Sequence, residues 1–481
     1  MFVHVKPSDI STGRFDDLIM PNGTVAVLSN ISRRLLGEPG LAIDEAYPGS
    51  NSAGREHEML MMHLHERIEA ALHNGDEPIV LCTVLSYNAE GSLKLLKDLK
   101  KEYGDRIRTG VGGQLTRVRP EAYLTKPYLD HIAVGDAEET LADIFRGRRY
   151  AKRYLPLVSQ ATHYAPPLYD NYIGLRDRLD EMSRYKIGPF SGIRQLIVES
   201  VRGCAWAYEH GICKFCSLEG VELKGVFRDF SDHIKIEREL VEQFGINWVF
   251  DVSSQWLPTM RHGEMVTWLK SYIQARRDHG APALNRYVYL TTNSITTTTA
   301  PLLREAGVRV AFVGIDGWDK ATKIAHGKTL VSSDRMFKAC RDNGLYVRAG
   351  LVLGSGLTPR NLKGFTEFVK DMVDCWGDTL LTFGVYLLIL LPGSPIFDEF
   401  EKTANAEGIN EALDLYAKFR SEGFFSWDDQ YRLSEIYMRH TQREVAYEDI
   451  LAVRDQAVEI ARRSPHTITY TYDDRKDVKH L

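Results

Sequence analysis

The stretch from 202 to 220, RGCAWAYEHGICKFCSLEG, gathers Cys204, Cys213 and Cys216, three of the chain's six cysteines. Eight residues separate the first two and two separate the last pair. Six cysteines in 481 residues are too few for a disulfide framework. Clustered thiols in a reducing compartment bind metal or do chemistry instead. Three readings compete. A structural zinc site needs four ligands in a closed tetrahedron; Cys213-Lys-Phe-Cys216 is a zinc-like pair and His210 could complete the set, but no second CxxC or HxxxH follows. Three buried cysteines with no ligand at all would require their clustering beside Gly203 to be coincidence. An iron–sulfur cluster on three protein thiolates leaves one iron open to a substrate or cofactor, which turns an electron carrier into a catalyst. The scattered Cys82, Cys340 and Cys375 read as small buried hydrophobes.

The elements around the loop favour the third reading. An apolar strand, RQLIVES, runs directly into it, and the next helix begins after FRDFSDH. A loop at the carboxyl end of the first strand is where a βα barrel keeps its active site. Five more strands are expected at 248–252, 287–292, 308–314, 346–353 and 380–391, separated by helical patterns such as 232–244 and 333–343. That makes about six βα units over 191–400, a full or partial barrel. Residues 1–150 show a similar rhythm, with strands expected at 24–29 (TVAVLS), 78–85 (PIVLCTVL), 108–111 and 131–134, and helices at 56–72 and 90–103. A Rossmann-like parallel sheet with helices on both faces follows, with ligands at the carboxyl ends of its strands. Those ends carry Ser86-Tyr87-Asn88, Gly112-Gly113-Gln114 and Gly135-Asp136. Residues 151–190, with ATHYAPPLYDNY, read as a connector, and 401–481 as mostly amphipathic helix.

The bulk numbers restrict the function. A net charge of −5 and the lack of a basic stripe argue against a nucleic-acid substrate. No apolar run approaches a membrane span, and MFVHVKPSDISTGRF lacks the regions of a secretory signal, so a cytoplasmic protein is expected.

The cysteine loop resembles that of radical S-adenosylmethionine enzymes, whose usual signature has three cysteines spaced three and two apart with an aromatic residue before the last. Phe215 stands at the aromatic place. The eight-residue first gap is a departure that occurs in some branches, and GC-insert-CxFCxLxG resembles enzymes that mature ribosomal peptides and related natural products. Further stretches are similar in the right order: GVFRDFSDHIKIERELVEQFGINWVFDVSSQW, then VGIDGWDKATKIAHGKTL with Asp316 in place of the more usual Glu, then YVRAGLVLGSGLTPRN and LLILLPGSPIFDEF. The resemblance implies a 4Fe–4S cluster on Cys204, Cys213 and Cys216, with S-adenosylmethionine chelating the open iron. Reductive cleavage then gives a 5′-deoxyadenosyl radical that removes hydrogen from an unreactive carbon. It implies a peptide or small natural-product substrate, and an electron donor such as flavodoxin or ferredoxin. A zwitterionic sulfonium cofactor needs carboxylate, hydroxyl and cationic partners. Asp251, Ser253, Asn293, Asp316 and Arg348 are the candidates at strand ends, with Arg348 suited to the methionyl carboxylate.

The N-terminal stretches PIVLCTVLSYNAEGSLKLLKDLKKEY, TGVGGQLTRVRPEAY and YLDHIAVGDAEETLADIF resemble cobalamin-binding domains fused to radical enzymes. Gly112 and Gly113 would allow backbone to approach a bulky ligand. The family's Asp-x-His-x-x-Gly is absent: SNISRRLLGEPGLAIDEAYPGS has no His, and His57, His63 and His65 lie on the next helical pattern. Cobalamin, if held, is held without a His ligand. With cobalamin the expected reaction is C-methylation. Without it, a cobalamin-free radical reaction such as peptide epimerisation is expected, and that would need a thiol or phenol at the barrel mouth. A non-catalytic iron–sulfur or zinc protein is the reading from a different class.

Overall fold

A computed structural model describes residues 1–6, 28–29, 32–33, 40, 42–46, 55–86, 88–135, 141, 144–145, 169–184, 186–218, 223–227, 229–282, 284–326, 333–463 and 468–470. Tyr87, 136–140 of GDAEET, 151–168 of the connector, most of 30–51 and the turn at 327–329 lie outside them.

The N-terminal sheet is parallel, in the order β2-β1-β3-β4-β5, from β1 Phe2–Lys6, β2 Ala42–Ala46, β3 Ile79–Thr83, β4 Arg108–Gly112 and β5 His131–Ile132. This is the flavodoxin-like order, whose ligand crevice opens where the strand order reverses, between β1 and β3. α1 (Arg55–His73) buries Leu60, Leu64 and Ile68 at four-residue spacing. α2 (Ala89–Tyr103) buries Leu93, Leu96 and Tyr103 on its inner face. The first strand is Phe2–Lys6, which the sequence reading did not expect; of the expected 24–29, residues 24–27 lie outside the described residues, and Leu28 and Ser29 are helical. The segment after that strand still contains no His before His57.

Beyond two short helices, α3 (Gln114–Val118) and α4 (Pro120–Leu124), and a longer one, α5 (Leu175–Arg184), a small hairpin pairs β6 (Lys186–Ile187) with β7 (Phe190–Ser191). Then comes the second sheet. Six parallel strands follow chain order: β8 Gln195–Val198, β11 Trp248–Asp251, β12 Asn285–Leu290, β13 Val308–Gly314, β14 Tyr346–Leu353 and β15 Leu380–Leu387. β9 (Val201–Arg202) and β10 (Val226–Phe227) form a separate antiparallel pair after β8. The six-strand reading holds, but the C-terminus is not all helix. β16 (Ile468–Tyr470) pairs in parallel with β15 and adds a seventh strand. Among the described residues β16 and β8 do not pair, so the barrel is open.

Helices cover the outer face. α7 (Phe230–Phe244), α8 (His262–Asp278), α9 (Thr299–Glu305), α11 (Ser333–Asp342) and α12 (Pro359–Trp376) follow β10 to β14, with the short α6 (Ala205–His210) and α10 (Lys320–Ala325) in loops. Outward residues such as Val313, Val347, Leu351 and Val385 are sealed in one core with these helices. The inward residues form layers, as in closed barrels. Phe250 stacks on Tyr287 at 4.3 Å, and Phe190 of the hairpin packs edge-on against both Trp248 and Tyr346. Those last two begin β11 and β14, so the hairpin stoppers the amino end of a strongly curled sheet.

The C-terminal helices α13 (Pro395–Glu407), α14 (Asn410–Glu422), α15 (Trp427–Thr441) and α16 (Tyr447–Ala461) complete the chain. α13 to α15 share a core with α1 and α2 of the first sheet, through Phe397, Phe400, Tyr416 and Phe419. Tyr123 donates to the Gly423 carbonyl at 2.8 Å in the same interface. Among the described residues no helix is long and apolar enough to cross a membrane.

Candidate functional site

The cysteine loop leaves the carboxyl end of β8 and is fixed at its root before the first thiol. Asp251 and Ser253, both fully buried, face the residues just ahead of Cys204. Asp251 Oδ1 accepts from the Ser200 amide at 3.3 Å, and Oδ2 accepts from the Ser200 hydroxyl. Ser253 Oγ accepts from the Val201 amide at 2.8 Å. These two side chains therefore hold the loop's root, where the sequence reading had them facing a cofactor. Gly203 follows with φ +91, and a Cβ there would meet the Lys224 carbonyl oxygen at 2.5 Å. Only glycine lets the strand turn that tightly against its neighbour. The Cys204 amide then donates to Leu223 O at 2.9 Å, anchoring the first thiol to the returning chain.

The eight-residue gap folds as α6, which buries Ala205, Trp206 and Ala207. Cys213 to Cys216 closes a tight turn, with the Cys216 amide on Cys213 O at 2.9 Å. All three thiols are half-buried and none of the six cysteines forms a disulfide. Among the described residues no three His, Cys, Asp or Glu side chains converge to hold a single metal ion, and the His210 ring packs on Trp206 at 4.5 Å. A four-iron cluster takes each thiolate on a different iron, so it does not require that convergence. A donor set of three thiols on one loop fits it.

Three neighbours grip the loop from above. Gln114, at the start of α3, donates its amide to Ser217 O at 3.3 Å. Ser217 Oγ donates to the Pro392 carbonyl, and the Ile396 amide donates to Lys214 O at 2.9 Å. The carboxyl end of β4 and the loop after β15 thus meet at Cys216. Gln114 follows Gly112 and Gly113, which fit their own surroundings closely: a Cβ at 113 would meet Val84 O at 2.7 Å, and one at 112 would meet the Ala133 side chain at 3.2 Å. In the structure these glycines make room for neighbouring chain. At the adjacent strand end, the buried Ser86 hydroxyl has no hydrogen-bond partner among the described residues.

Further round the barrel, Asn293 lies in a short turn, Thr292–Ser294, after β12, and Asp316 in the turn after β13. Asp316 is buried and is the only non-glycine with positive φ, +39, among the described residues. Its carboxylate folds back over Gly314. Gly314, Gly350 and Gly384 stand side by side on β13, β14 and β15, a layer bare of Cβ atoms. The space over that layer is taken by the Asp316 carboxylate, the Phe312 ring and the Tyr386 ring.

Arg348 does not belong to this rim. It is the third residue of β14, one layer below the glycines, with Nη1 3.1 Å from the Tyr287 hydroxyl and its guanidinium 5.9 Å from the Phe312 ring centroid. The sequence reading had put it at a strand end. Sequence reasoning named Gln114 at a strand end of the first sheet but missed His326 and Ser217. The first sat inside the quoted VGIDGWDKATKIAH stretch, and the last directly follows Cys216. Cys340 lies on α11, buried, Cys375 on α12, exposed, and Cys82 in β3, so no further thiol faces the lumen.

No family model matches the sequence, and no curated protein matches it. Solved structures do. One is the radical S-adenosylmethionine methyltransferase TsrM from Kitasatospora setae, with cobalamin and a 4Fe–4S cluster bound. The match has a TM-score of 0.56 at 17% identity, over 84% of this chain and 78% of that one. Another is the cobalamin-dependent S-adenosylmethionine radical enzyme OxsB with aqua-cobalamin bound, at a TM-score of 0.61 and 13% identity, over 96% and 79% of the two chains. The chain shares the fold of both, from the N-terminal sheet through the barrel.

Proposed function

We propose that this chain is a radical S-adenosylmethionine enzyme of the cobalamin-dependent kind, whose reaction is C-methylation of a small or peptide-derived natural product. The observation that carries the reading is the meeting of Gln114, from the first sheet's glycine turn, with Ser217 beside Cys216. It sets the ligand face of one sheet against the three-thiol loop of the other, so two cofactors would share one cleft. The fold's likeness to TsrM and OxsB supports it. A cluster and cobalamin would supply one-electron chemistry and a transferable methyl group.

The chain's own residues do the rest. Cys204, Cys213 and Cys216 would hold the cluster. Asp251 and Ser253 keep its loop in register. Asn293 and Asp316 would receive S-adenosylmethionine, and Ser86 at the adjacent strand end of the first sheet would face cobalamin. The stoppered amino end leaves the mouth as the way in for substrate. TsrM has been seen with tryptophan as substrate, which makes a small aromatic compound a sensible first trial. The reducing cytoplasm suits reduced thiols, and a low-potential flavodoxin or ferredoxin would supply the electron.

The test is anaerobic reconstitution with iron, sulfide and cobalamin, followed by desalting and incubation with S-adenosylmethionine and reductant. About four irons per chain, retained cobalamin, and release of 5′-deoxyadenosine or S-adenosylhomocysteine are expected. Four irons with cleavage but no cobalamin would move the reaction to a cobalamin-free one. Zinc in place of iron, without cleavage, would overturn the reading.

A further inference from the structure

Between the cysteine loop and the turn after β13 stands a buried histidine to which the reading so far gives no task. His326 follows the last residue of α10, its own amide bonded to Thr322 O at 3.0 Å, and it is 1% exposed. On one side its Nδ1 lies 3.3 Å from the backbone carbonyl of Asp316. A carbonyl can only accept, so Nδ1 carries the proton and donates. On the other side its ring meets Phe215 edge to face, with centroids 5.6 Å apart and planes at 83°. Phe215 is the residue between Lys214 and Cys216, inside the tight turn of the last two thiols. Asp316 is the residue held at positive φ with its carboxylate folded over Gly314. Such a conformation persists only where the surroundings over-determine it. The imidazole thus touches both the turn that carries two thiols and the one strained non-glycine turn among the described residues.

We propose that His326 is a positioning residue that locks the cysteine loop to the Asp316 turn, so that cluster seating and S-adenosylmethionine binding depend on one another. The proposal rests on the radical S-adenosylmethionine reading. The N–H to the Asp316 carbonyl holds the turn, and the ring face holds Phe215. Losing either end loosens the other, because the two share one rigid side chain.

Two substitutions separate the ends. His326→Phe keeps a ring against Phe215 and removes the donor; His326→Gln keeps a donor and removes the ring. Each reconstituted variant is compared with the parent enzyme for iron content, for KM and kcat of reductive S-adenosylmethionine cleavage, and for the change in the reduced cluster's electron paramagnetic resonance spectrum on adding S-adenosylmethionine. His326→Phe is expected to raise KM roughly three- to tenfold, the worth of one hydrogen bond, to shrink the spectral change, and also to lose part of its iron on desalting. His326→Gln is expected to lose more iron on desalting and to raise KM as well, and effects confined to one end in each variant would overturn the lock. A Phe215→Leu, His326→Phe double variant is expected to be no worse than the poorer of its two single variants, because both contacts run through one side chain and losing either already loosens the other. Parent-like KM, iron and spectrum in both single variants would overturn the lock, as would multiplicative effects in the double variant. Failure of the underlying reading looks different: the parent itself would then take up no iron, or show no spectral response to S-adenosylmethionine.

Discussion

Cys204, Cys213 and Cys216 are half-exposed on a loop, whereas burial pushes the Cys340 thiol up to about 12 and the Cys82 thiol higher still, keeping both protonated and inert. Replacing any one of the three loop thiols with Ala is therefore expected to abolish iron retention and the visible cluster absorbance. Cys82→Ala is expected to retain both. A second residue-scale prediction concerns the ion pair behind the barrel wall. Arg286 and Glu237 are both fully buried and paired, and His233 Nε2 stands 2.7 Å from Glu237. Burial pushes a carboxyl up, but here Arg286 and His233 outweigh it and hold Glu237 well below the ordinary carboxylate range. A depressed folded pKa gives stability that is present above the unfolded value of 4.5 and is lost as pH falls below it. Urea midpoints of the parent should fall as pH drops from 6 to 4. Arg286→Met, which strands the carboxylate, should cost roughly 3–5 kcal/mol at neutral pH, and Glu237→Gln should flatten the acid slope. The thiols were legible because spacing is a property of sequence. The roles of Asp251 and Ser253 were not, because a strand-end polar residue looks the same whether it faces a ligand or a neighbouring backbone amide.

At the scale of elements, the barrel was the legible part. Apolar runs of β12 to β15 separated by amphipathic helices fix strand count and order, and alternation fixes which side chains point in. Arg348 is the third residue of the expected strand as of the observed one, so its place near the amino end was legible and the assignment to a ligand-facing strand end overlooked it. The first strand was missed because FVHVK mixes His and Lys into a short run. The strand ITY near the C-terminus is too short to signal itself; β15 supplies the edge it joins. The prediction at this scale concerns the loop's hinge. Gly203→Ala places a methyl against Lys224 O in a conformation that L side chains rarely adopt, so it should cost roughly 1–3 kcal/mol. It should also lower iron retention on desalting, whereas Gly211→Ala, where a Cβ meets nothing within 4 Å, should affect the loop less.

For the whole molecule, the core shared by α1, α2 and α13 to α15 joins the two ends of the chain across the barrel. Sequence divides these into separate regions because they are far apart along the chain, yet their apolar faces are one surface. Thermal unfolding followed by near-ultraviolet and far-ultraviolet circular dichroism is expected to give coincident transitions for the N-terminal sheet and the C-terminal helices. A well-resolved first transition belonging to the N-terminal sheet alone would show the shared core to be weak.

The grip on the cysteine loop also has a consequence in time. Ser217 is held by the carbonyl of Pro392, 175 residues further along. A ribosome adding about 5–20 residues per second needs roughly 10–35 s to make that stretch. Throughout that interval the grips from Pro392 and Ile396 do not yet exist, and only Gln114 has been made. The clamp on the loop is thereby completed only after β15, so the cluster proposed for these thiols would be seated after that point.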